Sequence, residues 1–274
     1  MTRVGRIGYV NCFPVYGAID RGLVPCPAEL VTGTPSELNG LLAASELDVS
    51  VVSAVEYARH ADAYWLLPDL AVSSDGPVRS VVLFAKEPVE RLDGSTVLVS
   101  ASSRTSVQLL QMLALEVWGI APHLVEARTE AADLETLGIL PHDAVLVIGD
   151  AALLLAADST YGYRYDLGAV WKDWTGLPFV FAVWAARRET PQNAVATVHR
   201  SLLASRAWGL DHLADLAREA AERTRLPERT CHEYLQGLDY ALSYRHLEGL
   251  TSFFRRLAAT GVVKDGTLRF LSVA

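Results

Sequence analysis

Five short stretches place hydroxyl, amide or carboxyl side chains directly after apolar runs, and these are the residues whose types and spacing could do chemistry. They are Asn11, Ser53, the segment SSDGPVRS at 73–80, the segment SSRTS at 102–106, and Gly149-Asp150. Each follows a strand-like run, and in open α/β sheets ligands bind beyond the carboxyl ends of the strands. A helical pattern begins just after most of them. A helix start offers free N–H groups and partial positive charge, so several starts facing one pocket could hold a small carboxylate without a basic patch. That suits a chain of net charge −8, whose overall field repels an anion and leaves the attraction to local groups.

The densest of these signals is SSRTS. Ser102, Ser103, Thr105 and Ser106 put four hydroxyls in five residues, whereas one is enough to cap a helix, so the segment reads as a carboxylate site. Arg104 within it reads equally as a ligand contact, a solvent-facing arginine or a lobe-to-lobe salt bridge. Ser53 and Gly149-Asp150 join it as candidate substrate-binding positions. Glu56 and Asp150 each stand early in a helical pattern, as a base or as a carboxylate complementing the helix dipole. Trp171 and Trp174 read as core or as pocket lining.

Other chemistries find little support. The seven histidines show no metal-ligand spacing, and there is no GxSxG, no GxGxxG after a strand and no phosphate loop. Cys12, Cys26 and Cys231 are widely spaced without a CxxC, which is neither a disulfide framework nor a zinc pattern. No metal and no cofactor are expected.

The elements that must position these groups follow from the apolar pattern. Strand-like runs at 4–10, 28–32, 48–52 and 64–67 alternate with helical patterns, and Thr34-Pro35-Ser36-Glu37 is a capping box. Runs at 96–100, 123–127 and 144–148 repeat the rhythm, with Gly119 as a helix stop. This order is that of an α/β protein with mostly parallel sheets. The apolar run at 81–85 is assigned to the first lobe, and 178–186 returns the chain to it. The lobes are therefore expected as 1–86 with 178–274, and 87–177. The remainder reads as helices, ending in a hairpin over 262–270 that turns at Asp265-Gly266.

At 274 residues, 51% apolar and 20% charged, the chain is globular with ample material for a core. Its acidity argues against nucleic-acid or anionic-membrane partners. Residues 1–17 lack the apolar stretch of a secretory signal, and no run reaches a membrane span. The expectation is a soluble, cytoplasmic protein; oligomeric state is not legible.

Taken together, RIGYVNCFPVY, DVSVVSAVEYAR, LLPDLAVSSDGPVRSVVLF, SASSRTSVQLL and AVLVIGDAAL resemble, in order and across nearly the whole chain, the chorismate dehydratases of the futalosine route to menaquinone. The segment SSDGPVRSV is the most specific part. The resemblance implies a type II periplasmic-binding-protein-like fold of two α/β lobes, with two crossover strands and a ligand cleft between them. It also implies conversion of chorismate, a dicarboxylate, to 3-[(1-carboxyvinyl)oxy]benzoate. The family's catalytic polar residues fall on Asn11 in YVNC and Ser80 in PVRS. A sister enzyme of the pathway, acting on cyclic dehypoxanthinylfutalosine, and a non-catalytic small-anion-binding protein are the alternatives.

Overall fold

Val4 on one face and Gly5 and Ile7 on the other are buried in the first strand, so both of its faces are covered, and Pro14 sets the start of the helix that follows. The computed structural model describes residues 1–101, 103–156 and 159–272. Its first elements are β1 (Thr2–Ile7), α1 (Phe13–Asp20), β2 (Ala28–Gly33), α2 (Pro35–Ala43), β3 (Val49–Ser53), α3 (Ala54–Arg59) and β4 (Tyr64–Ser74). Next come β5 (Val81–Ala85), β6 (Thr96–Ser100), α4 (Arg104–Leu113), β7 (His123–Ala127), α5 (Leu134–Leu137), β8 (Ala144–Ile148) and α6 (Gly149–Leu155). The chain continues through β9 (Tyr163–Asp166), α7 (Leu167–Thr175) and β10 (Phe179–Arg187). It closes with α8 (Gln192–Asp211), α9 (Leu213–Thr224), α10 (Glu228–Gln236) and α11 (Tyr244–Ala259).

Two compact units result, Met1–Ser73 with Val180–Ala274, and Ser74–Phe179. The first holds the sheet β2-β1-β3-β10-β4 and the second the sheet β7-β6-β8-β5-β9. In each, three strands run parallel and a fourth lies antiparallel to the third: β10 against β3, and β5 against β8. Strands β3, β5 and β8 are buried along their whole length, as expected for unbroken apolar runs covered on both faces.

Three expectations change. The first segment of the first unit ends at Ser73, not 86, because Val81–Ala85 pairs with β8 and β9. The sheets are mixed rather than mostly parallel. The terminal hairpin does not form: Gly266 does turn, with φ +67°, but the chain beyond it pairs with β4, the Leu66 N–H reaching the Arg269 carbonyl at 2.7 Å and the Leu271 N–H the Leu66 carbonyl at 2.9 Å. The capping box stands as read, with the Thr34 side chain accepting from the Glu37 N–H and the Glu37 carboxylate from the Thr34 N–H. Trp171 is fully buried against Phe179 in the core of the second unit.

One buried histidine ties α8 to the first sheet. His199 Nε2 lies 2.8 Å from the Pro68 carbonyl, so it carries the hydrogen, and Nδ1 is buried without a partner. Burial holds its pKa below the ordinary value, because a second N–H would be charged and unpaired. The unfolded state then binds more protons than the folded one in this range, so stability is lost as pH falls through the unfolded value of about 6.5. Calorimetry from pH 7.5 to 5 should show a falling midpoint. His199→Gln keeps a donor for Pro68 but does not titrate and should flatten the slope; an unchanged slope would exonerate His199.

Candidate functional site

In the first unit the chain leaves β1 through a single 3-10 turn, Val10–Cys12, and enters α1. Pro14 lacks an N–H, so it fits only in the first turn of a helix; this leaves Asn11 in the connection, beyond the carboxyl end of β1. Its Oδ1 is buried and makes no hydrogen bond. A buried acceptor of this kind is costly unless a ligand supplies the donor.

Ser53 ends β3 and caps α3, its Oγ accepting the Glu56 N–H at 3.3 Å. Its own hydroxyl hydrogen is not used in that bond. Glu56 is buried, and its carboxylate turns back to His60 Nδ1 at 3.0 Å. Ser73 is committed to structure: its N–H and Oγ both bond the Asp239 carbonyl, at 2.9 and 3.1 Å.

In the second unit the sheet brings three of the sequence-read stretches to one edge. β6 and β8 run parallel, so Ser100 and Ile148 end at the same side, ahead of the helices α4 and α6. β5 runs opposite to β8, with Val81 facing Ile148, so the residue that begins β5 stands beside the residue that ends β8. The Ser80 carbonyl accepts the Gly149 N–H at 2.8 Å. Gly149, at φ +62°, takes a conformation that glycine adopts without strain. Ser80 is 3% exposed, and its Oγ makes one long bond, 3.4 Å, to the Val78 carbonyl.

Ser103 caps α4, accepting the Ser106 N–H at 3.3 Å and donating to Ser106 Oγ at 2.7 Å. Thr105 and Ser106 are buried, Arg104 is exposed, and Asp150 is buried in the first turn of α6. Ser102 lies outside the described residues. Among the sequence-read residues of this unit, Ser80 and Gly149 are thus in direct contact, while Ser103 and Ser106 bond each other.

Sequence reasoning missed Asp166. Its carboxylate accepts backbone N–H groups from Val78, Arg79 and Ala169. The only local sign was an aspartate immediately before the helical stretch that starts at Leu167, which reads as a cap and nothing more. Among the described residues, no three His, Cys, Asp or Glu side chains gather as a metal site, and no helix is long and apolar enough to cross a membrane.

This is the architecture of the periplasmic-binding-protein fold. The alkanesulfonate-binding protein SsuA of Xanthomonas axonopodis matches 97% of this chain and 95% of its own with a TM-score of 0.70, and at 14% identity the likeness carries the fold alone. The chain itself belongs to the menaquinone-biosynthesis family, whose model matches residues 2–259. The chorismate dehydratase of Thermus thermophilus is 36% identical to it over 81% of this chain and 84% of that protein. The 1,4-dihydroxy-6-naphtoate synthase of the same organism is 29% identical over 76% and 75%.

Proposed function

We propose that this chain is a hydro-lyase that converts chorismate to 3-[(1-carboxyvinyl)oxy]benzoate and water in menaquinone biosynthesis. The observation that carries the reading is the 36% identity to a chorismate dehydratase over four-fifths of the chain. The naphtoate synthase matches less closely and over less of the chain.

The chemistry asks for little beyond positioning. The C3–H bond of chorismate breaks, its electrons form the C3–C4 double bond, and the C4 hydroxyl leaves to become water. The product ring is aromatic, which drives the reaction without electron transfer. The C3 proton is vinylogous to the ring carboxylate, so donors around that carboxylate stabilise the developing charge. Neither Asn11 nor Ser80 is a strong base. The enolpyruvyl carboxylate of the substrate takes the proton, and the protein holds it in line. The C4 hydroxyl is the only hydrogen-bond donor on the dianion, and Asn11 Oδ1 is a buried acceptor lacking one, which supports their pairing. Ser80 donates to the reacting substrate. Ser53, Ser102, Ser103, Thr105, Ser106, Gly149 and Asp150 are assigned to substrate binding. A doubly charged metabolite does not cross a bilayer unaided, which favours a cytoplasmic location.

The test is incubation of purified protein with chorismate, with and without a chelator, followed by mass and absorption spectra. The expected product is aromatic, has lost one water and retains the enolpyruvyl ether. Pyruvate with 4-hydroxybenzoate would indicate a different lyase. Conversion of cyclic dehypoxanthinylfutalosine would indicate the sister activity, and binding without turnover a binding protein.

The anion site makes a separate prediction. Ser103→Ala combined with Thr105→Ala should weaken substrate binding by roughly 1–3 kcal/mol, the worth of hydrogen bonds to a charged group. Calorimetric titration measures it. Unchanged affinity with a lowered melting temperature would assign both residues to the α4 cap.

A further inference from the structure

The two residues before Ser80 are bound by a carboxylate outside the motifs that mark the family. β9 ends at Asp166, which pairs with Val82 across the β5–β9 ladder. Asp166 Oδ2 accepts the Arg79 N–H at 2.6 Å, and Oδ1 accepts the Val78 N–H at 3.0 Å. The same Oδ1 accepts the Ala169 N–H at 3.0 Å, which makes Asp166 the N-cap of α7. Two successive N–H groups aimed at one anion resemble the concave anion sites that backbone turns build, here filled by the protein's own side chain. Arg79 has φ +62°, a left-handed conformation disfavoured for any residue with a β-carbon. The charge-assisted bond to its N–H holds it there.

The loop is also held from below. Ser74 Oγ donates to the Gly76 carbonyl at 2.9 Å. A β-carbon on Gly168, in the first turn of α7, would come within 2.7 Å of that carbonyl and 2.9 Å of Ser74 Oγ. Lys172, one turn further along α7, pairs with Asp75. Residues 74–80 are therefore shaped by β9 and α7, elements some ninety positions away in sequence.

We propose that Asp166 is a positioning residue for the reaction: by fixing the Val78 and Arg79 backbone it sets the direction of the Ser80 hydroxyl. This rests on the chorismate dehydratase reading and on the part Ser80 plays in it. Capping alone does not require a carboxylate, since serine caps a helix about as well. A serine hydroxyl cannot also hold the Val78 and Arg79 N–H groups, so Asp166→Ser separates the two roles.

The experiment compares wild type, Asp166→Ser, Ser80→Ala and the double variant for kcat, KM and melting temperature with chorismate. Asp166→Ser should fold and keep KM within about 3-fold, with kcat lowered roughly 10- to 100-fold by misplacement of one group. Asp166→Asn, which retains one acceptor oxygen, should recover part of that loss. On the Ser80→Ala background, Asp166→Ser should cost little more, because residues acting as a unit are not additive. A wild-type kcat in Asp166→Ser, a rise in KM alone, or losses that multiply in the double variant would each overturn the proposal. If Asp166→Ser does not fold, Gly168→Ala enters the same comparison, since its β-carbon would press on the Gly76 carbonyl and, at 3.2 Å, on Asp166 Oδ1 while keeping the carboxylate. Wild type inactive on chorismate would sink the functional reading itself, whereas active wild type with independent losses sinks only the role of Asp166.

Discussion

Ser80→Ala and Asn11→Ala should each lower kcat for chorismate by roughly 100- to 1,000-fold, the usual cost of removing one preorganised group that stabilises developing charge. For Ser80→Ala, KM should move by less than about 5-fold, since an interaction made chiefly in the transition state leaves ground-state binding intact. Asn11→Ala also removes the acceptor for the bound substrate's hydroxyl and should raise KM further. The structural basis differs between the two. Ser80 is buried at the start of β5 with a single long bond to the Val78 carbonyl, so its hydroxyl turns to a ligand at little cost. Asn11 carries a buried oxygen with no donor, which in the proposed pairing receives the C4 hydroxyl of bound chorismate. Asn11→Asp should behave differently. A carboxylate there repels the dianion, raising KM as well as lowering kcat, and this rise should shrink with added salt. Steady-state rates of formation of the aromatic product measure all three. Variants with wild-type kcat and intact fold would remove these residues from the mechanism.

Gly209→Ala should strongly destabilise the first unit. In α8, Ser205 Oγ accepts the Ala18 N–H at 3.2 Å and the Ile19 N–H at 3.4 Å, bringing that helix against α1. One turn later a β-carbon on Gly209 would meet the Pro14 carbonyl oxygen, with the Pro14 Cα at 2.6 Å and its carbonyl carbon at 2.7 Å. These are backbone atoms, so no rotamer change can make room and the helices must separate. Overpacking commonly costs 1–3 kcal/mol, and a clash with backbone at a helix crossing should reach about 3 kcal/mol or more. Because Pro14 lies three residues after Asn11, the surviving folded protein should also lose turnover. Chemical denaturation gives the first quantity and kcat at a permissive temperature the second. A loss under about 0.5 kcal/mol, within the range of neutral surface changes, would show that α8 can yield.

What the sequence determined by itself is the local part of this protein. Thr34 with Glu37, and Gly119 after the helix that follows β6, act through bonds spanning a few residues, so their types and spacing were enough to read them. The same holds for the apolar runs of β3, β6 and β8 and for the small or polar residues that follow them. The motifs around Asn11 and Ser80 also carried the family. Tertiary structure decided which strands pair, and with that which polar ends meet. The run at 81–85 has the composition of any buried strand, and nothing in its pattern distinguishes β8 and β9 from the first sheet as partners. Only its antiparallel pairing with β8 puts Ser80 against Gly149. The segment before Phe270 carried a turn signal but lies along β4, because the unpaired groups of Leu66 compete for the same backbone. Asp166 was invisible for the same reason. Its partners Val78 and Arg79 are almost ninety residues distant, and periodicity reports which face a side chain takes, not which distant N–H groups the fold will bring to it.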